Sequence, residues 1–441
     1  MEVMTKYGRI RGVLKGDALV YKGIPYAKPP VGELRFSPPQ EPEAWDGVLD
    51  ADKWPSKCMQ FGHEPGSFYE KEFYADPEYL TEPSEDCLYL NIWTPADSAA
   101  KKLPVAFWIH GGAFLGGYGS EITFDGEEYT RRGVILVTIN YRCNIFGFFS
   151  CKELSAEQGG TSGNYGILDQ IAALRWVHEN IEAFGGDPDN VTIFGQSAGA
   201  MSVQTLVSSP LTEGLIRRAI MQSAGGYNTG INRDRFQAPA EDGGDDLMKG
   251  MGVSSIAELR AMPAEELLKK GLEAAMGEMR RSGKLTFTPI IDGKVLVDTY
   301  GASVEKGITH DIDYMLGSTA NDLTVTPEML EKGEKSPLYK GCIAWSLEQQ
   351  KLGRRPNYVY YFSRNLPGDE EGAFHSAELW YMFHTLHRSW RPFTEEDYDL
   401  ANRMVGYWTN FMKTGDPNGV GLPEWMPCTT EAPEVMVLDI L

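Results

Sequence analysis

At 441 residues, with 42% hydrophobic and 23% charged side chains, the chain has the composition of a packed globular protein, and its length fits either several domains or one large domain with insertions. The formal net charge of −21 argues against nucleic acid and anionic lipid as partners, since both demand clustered Lys and Arg, and no apolar run approaches the roughly 18 residues of a membrane helix. The opening MEVMTKYGRIRGV has no apolar signal segment, so a cytoplasmic protein is expected, and the six cysteines include no C-x-x-C pair for zinc or redox work.

The first hundred residues carry turn signals such as KPPVGELRF and EAWDG between short strand-like runs, which predicts an antiparallel edge. From residue 104 strands and helices alternate: PVAFWIH (104–110), VILVTIN (134–140), a helix over 168–184, VTIFG (191–195), a helix beginning just after Ser197, and LIRRAIMQS (215–223). That alternation is the grammar of a parallel sheet covered by helices, an α/β fold. Residues 225–285 change texture to amphipathic segments such as SIAELRAMPAEELLKKGLEAAM and read as an inserted helical cap. Sheet grammar resumes at DYMLGS (313–318) and NYVYYF (357–362), and DLANRMVGYWTNFMK (399–413) closes the chain as an amphipathic helix. Residues 1–441 are read as a single domain bearing the cap. Cys143, Cys151, Cys342 and Cys428 read as buried apolar residues.

VTIFGQSAGAMS, residues 191–202, places Ser197 on a corner between a β-branched strand and a close-packed helix. Gly195 and Gly199, two positions to either side, lack a Cβ where the chain must pass close to itself. This is the G-x-S-x-G elbow, which lifts a serine oxygen clear of a sheet and aims the next N–H, that of Ala198, at whatever the serine attacks. The plainer reading is a glycine-rich turn whose serine caps the helix. Context has to decide between them.

An unactivated serine is a weak nucleophile, so a base, an orienting acid and an oxyanion hole are required. Upstream, His110-Gly111-Gly112-Ala113-Phe114 follows a hydrophobic strand, and side chains this small let the N–H groups of Gly112 and Ala113 reach an oxyanion. Elbows of this type are followed in the chain by the acid and then the base. Of seven histidines that order removes His63, His110 and His178, and His310 precedes the strand whose end should carry the acid. His375, in the loop GDEEGAFHSAELW, His384 and His387 remain. The last two fall at i, i+3 on the run AELWYMFHTLHR and read as helix residues that lack a third ligand for a metal. For the acid, Asp322 follows DYMLGS in the expected loop; its neighbour Asn321 cannot ionise, and Asp292 in PIIDGKV reads as a hairpin turn.

The chain as a whole resembles the type-B carboxylesterases, the α/β-hydrolases that include bacterial para-nitrobenzyl esterases and the cholinesterases. The resemblance runs in order through YKGIPYAKPPVGELRF (21–36), SEDCLYLNIWTP (84–95), HGGAF (110–114), NYR (140–142), GNYGILDQIAALRWVHENIEAFGGDPDNVTIFGQSAG (163–199), HSAEL (375–379) and WTNFMKTGDPN (408–418). It implies a cofactor-free and metal-free hydrolase of small-molecule esters. In it Ser197 attacks the acyl carbon, His375 shuttles the proton, Asp322 orients His375, and Gly112, Ala113 and Ala198 hold the oxyanion. The family usually carries Glu as its acid; here the matching residue is Asp322, one methylene shorter. Only 53 residues separate Asp322 from His375, fewer than the family commonly has, so a second excursion over about 323–355 is expected to be trimmed and the pocket to tolerate bulky or aromatic esters.

The resemblance also maps structural ion pairs onto Arg35 with Glu85 and Arg142 with Asp169, and a loop-closing disulfide of secreted relatives onto Cys58 and Cys87. In a reducing compartment free thiols are expected instead. Two other functions would use the same parts. One is acyl transfer to an alcohol or amine through the same acyl-enzyme. The other is a noncatalytic interaction role, as in adhesion members of the family that lost the serine or histidine; both residues are present here.

Overall fold

Along Leu103–Ile109 the side chains of Val105, Phe107 and Ile109 enter one apolar cluster while Ala106 and Trp108 enter another, and all five are fully buried. Successive side chains leave opposite faces of a strand, so a strand buried on both faces lies inside a sheet covered on both sides. That is its position in the computed structural model, which describes residues 1–98, 101–231 and 233–441.

In chain order the strands of this sheet are β1 (Val13–Lys15), β2 (Ala18–Pro25), β3 (Tyr89–Pro95), β4 (Leu103–Ile109), β5 (Ile135–Ile139), β6 (Gly186–Gln196), β7 (Arg218–Gln222), β8 (Asp313–Thr319), β9 (Tyr358–Phe362) and β10 (Met436–Leu438). Across the sheet the order is β10, β9, β8, β7, β6, β4, β5, β3, β2, β1. Neighbours from β10 through β5 run parallel. From β5 outward, β3, β2 and β1 pair antiparallel, which is the appended edge that the turn-rich N-terminal region predicts. Strand order reverses at β4, with β5 on one side and β6 on the other, and the crevice beyond the strand ends at such a reversal is where open α/β sheets bind ligands.

The apolar filling differs on the two faces. On one, Trp108 stacks edge-on with Phe194, Phe124 and Phe383 at centroid separations of 4.8, 5.1 and 5.1 Å, geometry that aromatic quadrupoles favour. Trp380 and Tyr381 are fully buried in the same cluster, so these aromatics pack the core.

The first long helix, α1 (Tyr165–Asn180), starts three residues earlier than expected, and residues 181–184 form a tighter 3₁₀ turn. It is followed by α2 (Ala198–Val207). Three helices, α3 (Gln237–Met251), α4 (Ile256–Ala261) and α5 (Ala264–Ser282), occupy the stretch read as an insertion, and α6 (Pro337–Lys351) lies between β8 and β9. The closing helix α7 (Glu395–Thr414) begins before the expected residue 399 because Thr394 and Asp397 form a capping box, with Thr394 N–H donating to Asp397 Oδ2 at 2.9 Å. Asp instead of Glu at the third position hid that signal. Among the described residues no helix is long and apolar enough to cross a membrane.

Candidate active site

Ser197 sits between β6 and α2 with φ 57° and ψ −125°, a conformation that costs a non-glycine residue about 1–3 kcal/mol and persists only where the surroundings enforce it. They do so on both sides. The Ser197 N–H donates to Gln222 O at 2.9 Å, and its carbonyl accepts from Met201 N at 3.0 Å. A Cβ on Gly195 would stand 2.6 Å from the carbonyl carbon of Gly199, and one on Gly199 only 2.1 Å from the carbonyl oxygen of Ile109. Both glycines are therefore steric requirements of the corner.

The loop after β4 lies against this corner. A Cβ on Gly111 would be 2.8 Å from Gln196 O and 3.2 Å from Ser197 Cβ, so the Gly111 backbone touches the elbow itself. Gly112, Ala113 and Phe114 follow with φ of 101°, 55° and 59°. Several polar contacts hold this turn. Leu115 N donates to Gly112 O at 2.8 Å, Asn144 N donates to Phe114 O at 2.6 Å, and the Gln60 amide bridges both backbone groups of Gly117.

Asp322 follows β8 and His375 follows β9, neighbouring parallel strands, and the two loops are stitched together where they leave the sheet. Asn321 N donates to Ala373 O at 2.9 Å, and the Asn321 side chain accepts from Ala373 N at 3.2 Å. Asn321 thus holds the loops while its neighbour supplies the carboxylate. His375 Nδ1 donates to Asp322 Oδ1 at 2.6 Å. Asp322 Oδ1 also accepts from Leu323 N at 2.8 Å, and its Oδ2 from Thr319 N at 3.0 Å. With Nδ1 carrying the proton, Nε2 is an acceptor, and the Gln196 side-chain amide donates to it at 3.2 Å. Among the described residues the imidazole contact on this side is with Gln196, the residue before Ser197, and no Ser197–His375 hydrogen bond is formed.

This arrangement has known counterparts. The carboxylesterase family model matches residues 1–351 and 336–440. The chain belongs to the carboxylesterase family. The para-nitrobenzyl esterase of Bacillus subtilis (strain 168) is 34% identical over 484 aligned residues, covering 99% of this chain and 94% of its own. Cocaine esterase of Homo sapiens is 34% identical, with 96% of this chain and 84% of its own covered. The solved structure of a thermophilic PNB esterase superposes with a TM-score of 0.87 at 33% identity, covering 100% of this chain and 96% of that one. This member of the family is an α/β-hydrolase and an enzyme that hydrolyses carboxylic esters.

Both ion pairs implied by the resemblance are formed in this esterase. Arg142 Nε and Nη2 grip Asp169 at 2.8 and 2.7 Å in the interior, and Arg35 Nε and Nη2 grip Glu85 at 2.7 and 2.6 Å. The first joins the segment after β5 to α1 and the second joins two N-terminal loops, and both stand outside the Ser197 site. Among the described residues His384, His387 and Asp292 form no hydrogen bond with Ser197, Asp322 or His375. His384 and His387 are not on one helix: Leu379–Met382 ends, His384 takes φ 56°, and Leu386–Arg388 is a separate 3₁₀ turn. An i, i+3 spacing suits a chain of short turns as well as a helix, which is why the helical reading fails there. Asp292 Oδ1 accepts from the N–H groups of Lys294, Val295 and Leu296 and organises a turn.

Three further residues stand at or beside the site, and nothing in the sequence assigned them a role there. Gln196 is one. Tyr69, from the loop before β3, donates its hydroxyl to the carbonyl of His375 at 3.3 Å. Glu378 is fully buried; burial, then the charge of Asp322, carries its carboxyl up to about 7. Its Oε1 accepts from Gln222 Nε2 at 3.3 Å, and Gln222 Oε1 accepts from Trp408 Nε1 at 3.2 Å. Tyr69 and Trp408 are more than 300 residues apart, so only the folded chain brings them to one site.

Proposed function

We propose that this esterase works through an acyl-enzyme on Ser197, with His375 as general base and acid, Asp322 orienting the imidazole, and the N–H groups of Gly112, Ala113 and Ala198 receiving the oxyanion. The observation that carries this reading is the 2.6 Å hydrogen bond from His375 Nδ1 to Asp322, which leaves Nε2 as the basic nitrogen on the side of the Ser197 elbow. In the acylation step Nε2 takes the Ser197 Oγ proton as Oγ bonds to the ester carbon. Charge then develops on the carbonyl oxygen, where each backbone donor is worth roughly 10²–10³-fold in rate. The imidazolium, stabilised by Asp322, gives its proton to the departing alkoxide. Water repeats the sequence to release the acid.

We assign the substrates to small and medium carboxylic esters, including bulky and aromatic ones. The short span from Asp322 to His375 supports an open pocket, with α3, α4 and α5 as its cap. The relatives' names point the same way, to a para-nitrobenzyl ester and to cocaine. Six unpaired cysteines support work in a reducing compartment such as the cytoplasm. Ser197→Ala should lower kcat on the order of 10⁶-fold with the fold intact by circular dichroism. Near-normal cleavage of a chromogenic ester by that variant overturns the assignment. A sharp fall for every acyl or aryl group larger than butyrate overturns the bulky-ester part.

A further inference from the structure

Three cysteines far apart in the chain, Cys58, Cys87 and Cys143, meet behind the loop that follows β4. All three are buried and unpaired. Cys58 Sγ accepts the backbone N–H of Cys143 at 3.2 Å, and the thiols of Cys143 and Cys87 both hydrogen-bond to it. Burial alone pushes Cys58 up, but these donors and the charge of Arg142 outweigh it and hold the thiol well below its usual range. Cys87, through its bond to Cys58 and burial, and Cys143, through burial and its bond to Cys58, are pushed well above that range. Cys58 is therefore the sulfur that the other two thiols face, the arrangement that suits a nucleophile with resolving partners. Among the described residues no group of His, Cys, Asp and Glu is arranged to hold a metal ion.

Cys58 and Cys87 also line a crevice together with Pro30, Phe36, Arg142 and Phe146. It has room for about one water-sized molecule. An opening of this size admits only the smallest solutes and excludes a bulky disulfide. We propose that Cys58 is a site of peroxide oxidation that closes into a disulfide with either of its two neighbours. The Cys58 thiolate attacks one peroxide oxygen, the O–O bond breaks, and hydroxide leaves, giving a sulfenic acid. The thiol of Cys87 or Cys143 then attacks the Cys58 sulfur, the S–O bond breaks, and water leaves. Peroxide is reduced to water as the thiol pair is oxidised.

The two outcomes differ at the site. Cys143 Sγ lies 3.8 Å from Gly116 O, and Asn144 after it bonds Phe114 O, Leu115 O and Met59 O. A Cys58–Cys143 bond therefore pulls on the loop holding Gly112 and Ala113, whereas a Cys58–Cys87 bond, the pairing of secreted relatives, does not.

The test is peroxide titration of the reduced full chain, with thiols counted after denaturation and linked peptides mapped by mass spectrometry. Wild type should lose a thiol pair to peroxide and none to glutathione disulfide, and C58S should react at least about tenfold more slowly. C87S should form the Cys58–Cys143 bond and lose most ester turnover, restored by dithiothreitol; C143S should form Cys58–Cys87 and keep its turnover. In the C87S/C143S double variant a cyclic 1,3-diketone added together with denaturant should label Cys58. An unchanged thiol count in wild type, or C58S losing a pair as fast as wild type, overturns the proposal. Full turnover in oxidised C87S overturns the link to the loop. Diketone added with denaturant to wild-type samples taken early in the titration labels the sulfenic acid on Cys58 and reads the first step even if a variant does not fold.

Discussion

Gly199 and Ile109 approach so closely that a Cβ on Gly199 would stand 2.1 Å from the carbonyl oxygen of Ile109. The end of β4 and the start of α2 are thereby in contact through backbone alone, which brings the Gly111–Ala113 loop up to Ser197. Gly199→Ala forces either α2 or β4 to retreat. Overpacking of this kind destabilises by about 1–3 kcal/mol, so the urea midpoint should fall accordingly and ester turnover should fall with it. Unchanged stability and turnover would mean that the corner yields without cost.

Asp322→Asn keeps the shape of the side chain and removes its charge, and the imidazole can then settle with its proton on the wrong nitrogen. The expected loss in kcat is about 10⁴-fold, as when the orienting Asp of a serine-protease triad is amidated. Stopped-assay kinetics on a para-nitrophenyl ester measure it. A loss below about tenfold directs attention to another carboxylate, of which Glu378 is the nearest by contact with this network.

Gln196 faces His375 Nε2 at 3.2 Å with a neutral amide. Gln196→Glu puts a negative charge there and favours the imidazolium, so the acidic limb of the kcat/KM profile should move to higher pH by about one pH unit. Gln196→Ala should leave that limb in place. If both variants match the wild-type profile, Gln196 does not face the working imidazole.

Glu378 and Glu121 are both buried carboxyls carried from an ordinary 4.5 up to about 7, Glu378 by burial and Asp322, Glu121 by burial. Each keeps its proton in the folded chain at a pH where the unfolded chain has released it. Their contribution to stability is thus fully present below about pH 4.5 and is lost as pH rises through about 7, at about 3 kcal/mol for a carboxyl shifted this far. Glu378→Gln and Glu121→Gln should each flatten the fall in urea midpoint between about pH 5 and about pH 7.5. Slopes equal to wild type in both variants would assign the pH dependence to other groups.

Much of the fold is legible in one dimension because its causes are local. The G-x-S-x-G corner, the glycine loop after β4 and the continuous apolar strands each record a steric or burial demand met within about ten residues. The start of α7 was missed through a local variation, the Asp in its capping box, and the His384–His387 segment because i, i+3 spacing cannot separate a helix from successive turns.

By itself, then, the sequence determined a covered parallel sheet, a serine on a forced corner, and the residue types available to act with it. Tertiary structure alone decided which of them meet. Asp322 bonds His375 because β8 and β9 are neighbours, Gln196 takes the far side of the imidazole, Tyr69 reaches it from a loop before β3, and Cys143 joins Cys58 and Cys87. Such contacts depend on strand order and loop direction. Those are set by the summed burial of the whole chain, and no short window of residues records them.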